Sequence, residues 1–296
     1  MLDWARDRDI SKKHPRAPAV RPTRNAIKVA VYIDSLQSFP YPILGYYKVL
    51  TLLDRVQVGF HVGILQLKCK KIIQRWSPQM NSFPAGESSL VINGPAGALQ
   101  AITTCPKNVD DGPGNVTIVC HPHSLMGGTM NNKVAHTVAR ARRDLGHRVV
   151  RFNFRGVEKS EGQYDHGIGE QEDLLAVIDW VRATRPDDRL WLAGFSFGSF
   201  VAASACGRAL ERGYPVTHLL LIAPAVVNYE FDSLTAFDCP LAILYGDEDE
   251  VVDATEIQRW SDRISTLKQV FCLPGAGHFF HGRLTEVKDI IQDQLA

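Results

Sequence analysis

Short apolar segments alternate with segments of helical periodicity from about residue 88 onward. The apolar segments predict strands at residues 90–92, 99–103, 116–120, 149–154, 190–194, 218–222, 241–245 and 270–273. From residue 116 onward most of them are apolar at every position, which is typical of parallel strands buried on both faces. The segments between them predict helices at residues 131–145, 169–184, 197–212, 254–266 and 284–294.

This alternation predicts an α/β fold with a mostly parallel, doubly wound sheet of about eight strands and helices on both faces. In such sheets ligands bind beyond the carboxyl ends of the strands, so chemically active motifs are expected directly after strands. Residues 224–240, between two predicted strands, are too few for a helical cap. We therefore expect no large cap over the sheet.

Charge divides the chain into two parts near residue 80. Residues 1–79 contain 14 lysines and arginines against 5 acidic residues, whereas residues 80–296 contain 19 against 27. The first part predicts a basic N-terminal extension that is poorly ordered or derives from a non-native start. The second part predicts the α/β domain. The net charge of the whole chain is +1, which does not favour a nucleic-acid partner.

The six cysteines are scattered without a C-x-x-C pair, which argues against a zinc ribbon or a disulfide framework and for free thiols in a reducing compartment. The first residues, MLDWARDRD, carry charge where a secretory signal would be apolar. The apolar window 49–67 is interrupted by Asp54, Arg55 and His61, so we expect no stable membrane insertion. A cytoplasmic location is expected, while the oligomeric state is not indicated.

The motif Gly194-Phe195-Ser196-Phe197-Gly198 follows a predicted strand and opens a predicted helix. In this context a G-x-S-x-G motif is typical of a nucleophile elbow, a sharp strand-to-helix turn that projects a serine hydroxyl above the sheet. The two glycines leave room where a Cβ would clash. Ser196 is therefore the predicted nucleophile.

A serine hydroxyl needs a base, which is itself oriented by an acid, and in this fold the order along the chain is serine, acid, histidine. Three histidines follow Ser196. His218 begins a strand and is interpreted as structural. His278 lies in a glycine-rich loop directly after a strand and is the predicted base, with His281 as the alternative.

The acid is expected after the preceding strand, where Asp247, Glu248, Asp249 and Glu250 follow one another. Four carboxylates in a row are also typical of a solvated loop, but this loop lies at the carboxyl end of a buried strand. Asp249 is the predicted acid and Asp247 the alternative. The apolar pair 251–252 is expected to anchor the loop and to turn Asp249 inward.

Acyl transfer also requires hydrogen-bond donors for an oxyanion. The backbone N–H of Phe197 is one predicted donor. The other comes from the loop after strand 116–120, where Pro122 has no N–H and His123 is the next residue. The H-x-H spacing of His121 and His123 leaves a metal site as an alternative, but no further ligand with metal spacing follows. No cofactor is predicted, since neither a dinucleotide nor a phosphate-loop motif is present.

Four segments together resemble small bacterial α/β-hydrolases of the dienelactone-hydrolase and esterase type: HPHSLMGGTMNNK, RFNFRGVEKSEG, GFSFG and GAGHFFHGRL. The resemblance covers about residues 88–296. It implies the α/β-hydrolase fold, Ser196 as nucleophile, His278 as base and Asp249 as acid, the third residue after the loop glycine. It also suggests oxyanion donors at Phe197 and in the HPH loop.

The sequence thus predicts a cytoplasmic serine hydrolase that cleaves small carboxylic esters or thioesters through an acyl-enzyme. An acyltransferase or peptidase on the same fold remains an alternative, because the triad does not set the reaction class. A non-catalytic binding protein that keeps the scaffold is the alternative from another class.

Overall fold

The computed structural model describes residues 82–107, 109 and 112–295. The predicted basic extension, residues 1–79, lies outside the described residues. Within them no helix has the length and apolar character needed to cross a membrane.

Eight strands form one sheet, and each contains or overlaps a strand predicted from the sequence. They are β1 (Glu87–Gly94), β2 (Gly97–Thr104), β3 (Asn115–Cys120), β4 (Arg148–Phe152), β5 (Arg189–Phe195), β6 (Val216–Ile222), β7 (Leu241–Gly246) and β8 (Lys268–Leu273). Their order in the sheet is β1-β2-β4-β3-β5-β6-β7-β8. The pairs β1/β2 and β2/β4 are antiparallel and all other pairs are parallel. The predicted mostly parallel sheet is confirmed.

Within the described residues four α-helices connect strands, and a fifth follows β8. They are α1 (Lys133–Asp144), α2 (Ile168–Thr184), α3 (Phe197–Glu211), α4 (Ala254–Asp262) and, after β8, α5 (Leu284–Gln294). Helix α1 begins two residues later than the periodicity predicts because the Asn132 side chain caps it, accepting hydrogen bonds from the N–H groups of Val134 and Ala135. Helices α1 and α5 pack on one face of the sheet, and α2, α3 and α4 pack on the other.

Both faces of the sheet are buried, which explains why the central strands are apolar throughout. In β7, for example, Leu241 and Ile243 belong to the core under α2, α3 and α4. The alternating residues Ala242 and Leu244 belong to the core under α1 and α5. Side chains of a strand alternate between faces, so a strand covered on both sides needs apolar residues at every position.

The segment between β6 and β7 contains neither a helix nor a strand, so the expectation of no large cap is confirmed. Phe231, in the middle of this segment, is buried against Trp260, with the ring centroids 5.0 Å apart. The indole N–H of Trp260 also donates to the backbone carbonyl of Phe231 over 3.1 Å. Among the described residues, this segment therefore places a loop rather than a helical cap at the carboxyl edge of the sheet.

The position of β3 creates a crevice at that edge. The chain leaves β3 toward β4 on one side, whereas β5 is its neighbour on the other side. The helices that follow β3 and β5, α1 and α3, lie on opposite faces of the sheet. The loops after β3 and β5 therefore diverge from neighbouring strand ends, which is where α/β sheets place their ligand sites.

Two histidines near the amino edge of the sheet, the buried His147 and the partly buried His218, connect stability to pH. His147 accepts or donates one hydrogen bond with the Thr117 hydroxyl at 2.9 Å, and His218 stacks on Trp191. Burial, reinforced by the nearby Arg142 guanidinium, lowers the pKa of His147 to about 3 and that of His218 to about 4. Both rings are therefore neutral in the folded protein at pH 7.

Stability is expected to fall as the pH drops below about 6.5. An unfolded chain binds protons on histidine near pH 6.5, whereas the folded protein resists protonation of these two rings down to about pH 4 and 3. The free energy of unfolding, measured by urea titration at several pH values, should therefore decrease most between pH 6.5 and 4. His147→Gln should flatten this decrease, and the same change at the exposed His281 should not. If the free energy of unfolding depends on pH equally in the two variants, the pH dependence is not due to His147.

Candidate active site

Ser196 occupies the turn between β5 and α3 in a strained backbone conformation, with φ 54° and ψ −116°. The turn is held because the Ser196 N–H donates to the Ile222 carbonyl on β6 over 2.8 Å, and the Ser199 hydroxyl donates to the Gly194 carbonyl over 2.7 Å. A Cβ on Gly194 would lie 2.2 Å from the Gly198 carbonyl oxygen. Glycine at 194 is therefore required for the strand and the helix to meet so closely.

Gly198 brings the start of α3 against the end of β3. A Cβ at this position would lie 2.4 Å from the Cys120 carbonyl oxygen and 2.6 Å from that of His121. Only glycine permits this approach. As a result, the first amides of α3 and the loop that follows β3 are neighbours.

The two backbone N–H groups predicted as oxyanion donors both belong to this junction. Within the residues that the structure describes, neither the Phe197 N–H nor the His123 N–H donates a hydrogen bond to another group. The loop after β3 is closed by a hydrogen bond of 3.0 Å from the Gly128 N–H to the His123 carbonyl. Unpaired amides beside a serine hydroxyl are suited to receive a negatively charged oxygen.

His278 lies between Ser196 and Asp249. Its Nε2 is 3.0 Å from the Ser196 Oγ, and its Nδ1 is 2.8 Å from the Asp249 Oδ2. Because a carboxylate only accepts hydrogen bonds, Nδ1 carries the proton of the neutral ring, and Nε2 is left to accept the serine proton. The structure thus brings together the three residues predicted to act as nucleophile, base and acid. His281, the alternative base, is exposed and lies beyond Phe279.

The Asp249 carboxylate is fully buried and is oriented by the backbone. Its Oδ1 accepts hydrogen bonds of 2.8 Å from the N–H groups of both Val251 and Val252. Val252 is buried and anchors the loop as expected, but the Val251 side chain is 48% exposed and anchors nothing. Val251 contributes its amide rather than its side chain.

Asp247, the alternative acid, has a different contact. Its Oδ1 accepts a hydrogen bond of 2.6 Å from the Gly275 N–H, in the loop that carries His278. A Cβ on Gly246 would lie 1.9 Å from the Ala276 carbonyl oxygen, so the backbones of the two loops are in direct contact there. Asp247 joins the loops and does not contact the imidazole ring.

Glu250 is a residue that the sequence analysis did not single out. Its Oε2 accepts a hydrogen bond of 2.9 Å from the backbone N–H of His278. The absence of a side chain on Gly277 makes room for it, since a Cβ there would lie 2.6 Å from the same oxygen. The sequence signal for this contact was the glycine directly before the histidine.

The buried His121 supports the loop after β3 and has no nitrogen left for a metal. Its Nδ1 donates to the Pro122 carbonyl over 2.6 Å, and its Nε2 accepts from the Phe154 N–H over 3.0 Å. Burial lowers the pKa of His121 to about 4, so the ring is neutral as this pairing requires. The metal alternative for His121 and His123 is not supported by these bonds.

Arg155, after β4, forms an ion pair with the buried Asp173. Its guanidinium contacts both carboxylate oxygens of Asp173 on α2, at 2.8 and 3.0 Å. A Cβ on Gly169 would lie 1.9 Å from this guanidinium. Arg155 thus joins the loop after β4 to α2.

The fold and the serine–histidine–aspartate arrangement are those of an α/β serine hydrolase. A family model described as an alpha/beta hydrolase domain matches residues 117–293. The chain belongs to this family, and its resemblance to small bacterial α/β-hydrolases is confirmed.

Three proteins illustrate the similarity. An alpha-beta serine hydrolase homologue from Coxiella burnetii is 43% identical, with a TM-score of 0.67 over 73% of this chain and 100% of that one. A serine hydrolase without lid from Xanthomonas campestris is 41% identical, with a TM-score of 0.65 over 72% of this chain and 94% of that one. An uncharacterized protein from Rickettsia prowazekii is 34% identical over 218 residues, 70% of this chain and 87% of its own length.

Replacement of each aspartate by asparagine in turn should show that Asp249 and Asp247 have different roles. Asp249→Asn is expected to lower kcat on the order of 10³-fold or more, because an amide no longer holds the imidazole in the tautomer that accepts the serine proton. Asp247→Asn keeps an oxygen that accepts the Gly275 N–H and should have a much smaller effect. Steady-state kinetics on a short ester would check this, and an equal or larger loss at Asp247 would reverse the assignment.

Glu250 should act as a positioning residue for His278. Glu250→Ala is expected to lower kcat about tenfold, since it removes one hydrogen bond that holds the histidine backbone. Glu250→Gln keeps an acceptor oxygen and should restore most of the loss. Glu248→Ala, in the same loop, is the control, because Glu248 contacts the loop of His278 through its backbone N–H, which donates to the Ala276 carbonyl. Identical kinetics of the Glu250→Ala and Glu248→Ala variants would show that the Glu250 contact does not affect catalysis.

Proposed function

We propose that the protein is a serine hydrolase that cleaves small carboxylic esters or thioesters through an acyl-enzyme. The observation that carries the proposal is the continuous hydrogen-bonded chain from the Ser196 Oγ through the His278 ring to the Asp249 carboxylate. Membership of a hydrolase family supports the same reaction class.

In the proposed first step, His278 Nε2 takes the proton of Ser196 as the Oγ attacks the substrate carbonyl. The carbonyl oxygen becomes negatively charged and is received by the N–H groups of Phe197 and His123. Asp249 stabilises the imidazolium that forms. His278 then gives its proton to the leaving alcohol or thiol, and an acyl ester on Ser196 remains.

In the second step, water repeats the sequence. His278 takes a proton from the water as its oxygen attacks the acyl ester, and it returns a proton to Ser196 when the carboxylic acid leaves. No other co-reactant is needed for this cycle. An acyltransferase would differ only in the nucleophile that replaces water, and a peptidase only in the leaving group.

Two experiments together would test the proposal: labelling with a fluorophosphonate and hydrolysis of a series of esters. The wild-type protein should be labelled and should hydrolyse short esters, whereas Ser196→Ala should do neither. Labelling without hydrolysis would point to transfer to another acceptor. A wild-type protein that is not labelled would point to a non-catalytic binding protein on the same scaffold.

Esters with short acyl groups are expected to be the better substrates. The segment between β6 and β7 supplies no helical cap, and the related hydrolase from Xanthomonas campestris is described as lacking a lid. Without a cap, added methylene groups of the acyl chain remain in water. Each then contributes little to the binding free energy, whereas burial of a methylene group would contribute roughly 0.8 kcal/mol. Values of kcat/KM from acetyl to palmitoyl esters should level off after a few carbons. A steady rise along the series would contradict an open site.

A further inference from the structure

Four aromatic rings stand beside the proposed nucleophile and form what we call the aromatic collar: His123, Tyr164, Phe197 and Tyr229. The buried Phe197, which follows Ser196, lies at its base, with its centroid 5.4 Å from that of His123 and 5.1 Å from that of Tyr229. The ring centroids of His123 and Tyr164 are 4.9 Å apart. The rings of His123, Tyr164 and Tyr229 are only half-buried, so their outer surfaces are open to a ligand.

The collar contains no positive charge of its own. His123 accepts a hydrogen bond of 3.2 Å from the Leu125 N–H at Nδ1, which requires that nitrogen to be unprotonated. Burial lowers the pKa of His123, although the Glu170 carboxylate opposes this shift. The His123 ring is therefore neutral at pH 7 and does not offset the negative charge of the Glu170 carboxylate.

Negative charge lies behind the collar on α2. Glu170 is fully buried, and its carboxylate accepts hydrogen bonds of 2.9 and 2.8 Å from the N–H groups of Asp165 and Gly167. The Gly167 that it binds packs against the collar, since a Cβ there would lie 3.4 Å from Cε2 of the Phe197 ring.

The neighbouring cation, Arg155, does not balance this charge. Its guanidinium already binds Asp173 through two hydrogen bonds and lies 3.7 Å from Asp165. Together with Glu170, three carboxylates therefore face one guanidinium. Residues 80–296 as a whole carry 19 basic against 27 acidic residues, so the field around the domain also attracts cations.

We propose that the aromatic collar binds an alkylammonium group of the substrate, so that the enzyme prefers cationic esters. This inference rests on the proposed function for the position of the scissile ester at Ser196. The faces of aromatic rings attract cations, and several rings backed by a carboxylate are the usual receptor for a quaternary ammonium group. A neutral group of the same shape gains only the apolar contact.

Two molecules of equal shape would test this preference. Choline and 3,3-dimethylbutan-1-ol differ in the replacement of the quaternary nitrogen by carbon, and neither contains an ester. Both would be measured as competitive inhibitors of the hydrolysis of a neutral short ester, with sodium chloride added to equalise ionic strength. The inhibition constant of choline is expected to be about tenfold lower than that of the neutral alcohol. Equal constants, or tighter binding of the neutral alcohol, would overturn the proposal.

Substitutions in the collar should remove the difference between the two inhibitors. Tyr229→Leu keeps an apolar side chain but loses the ring face, and Glu170→Gln keeps the size of the side chain but loses its charge. Each should reduce the preference for choline severalfold. Asp187→Asn removes one exposed charge near the amino edge of the sheet, far from the collar, and should leave the preference unchanged. A preference that survives in both collar variants would show that choline binds elsewhere.

The binding of choline and of the neutral alcohol to Ser196→Ala, measured by calorimetry, would test this inference separately from the proposed function. This variant cannot turn over an ester but retains every residue of the collar. If it binds choline more tightly than the neutral alcohol while the wild type hydrolyses no ester, the collar proposal stands and the proposed reaction fails. If the wild type hydrolyses esters and neither protein distinguishes the two molecules, the collar proposal alone fails.

Discussion

Close contact between backbones at the Ser196 turn is the constraint on which the rest of the site depends. Gly194 allows β5 to meet the first turn of α3, and Gly198 allows that turn to touch the end of β3. A single methyl group at either position would push these elements apart by more than the tolerance of a hydrogen bond. The strained conformation of Ser196 persists because the surrounding strands fix it on both sides. The main chain thus sets the positions of the two free amides and of the Ser196 Cβ, from which the hydroxyl projects.

The other half of the site consists of two loops that behave as one unit. They follow β7 and β8, which are neighbours in the sheet, and three carboxylates of the first loop bind the second. Asp247 binds the backbone of Gly275, Glu250 binds the backbone of His278, and Asp249 binds the imidazole. A run of carboxylates that looks like a solvated loop is therefore a set of distinct contacts. The repulsion among them is offset because each has its own donors.

Local patterns were sufficient to predict the strands, the nucleophile turn and the loop of His278, because glycines and apolar runs report directly on backbone geometry. They favoured Asp249 over Asp247 only through the apolar pair that follows it, since both residues follow the same strand and have the same chemistry. The distinction depends on the amides of Val251 and Val252, which fold back onto only one of the two carboxylates. The aromatic collar was not predicted for a similar reason. Its rings come from three separate loops and from the first residue of α3, and nothing in the spacing of His123, Tyr164 and Tyr229 along the chain shows that they meet.

The order of the elements along the chain has a consequence for biosynthesis. β8 is the last of the eight strands, lies at the edge of the sheet, and leads into the loop that holds His278. A ribosome therefore releases the Ser196 turn, with β3 and β5 to shape it, long before the histidine emerges. Until β8 joins the sheet edge, a nascent chain lacks the proposed base, so the proposed reaction would be silent during translation. A product that stops between β7 and β8 would be silent for the same reason.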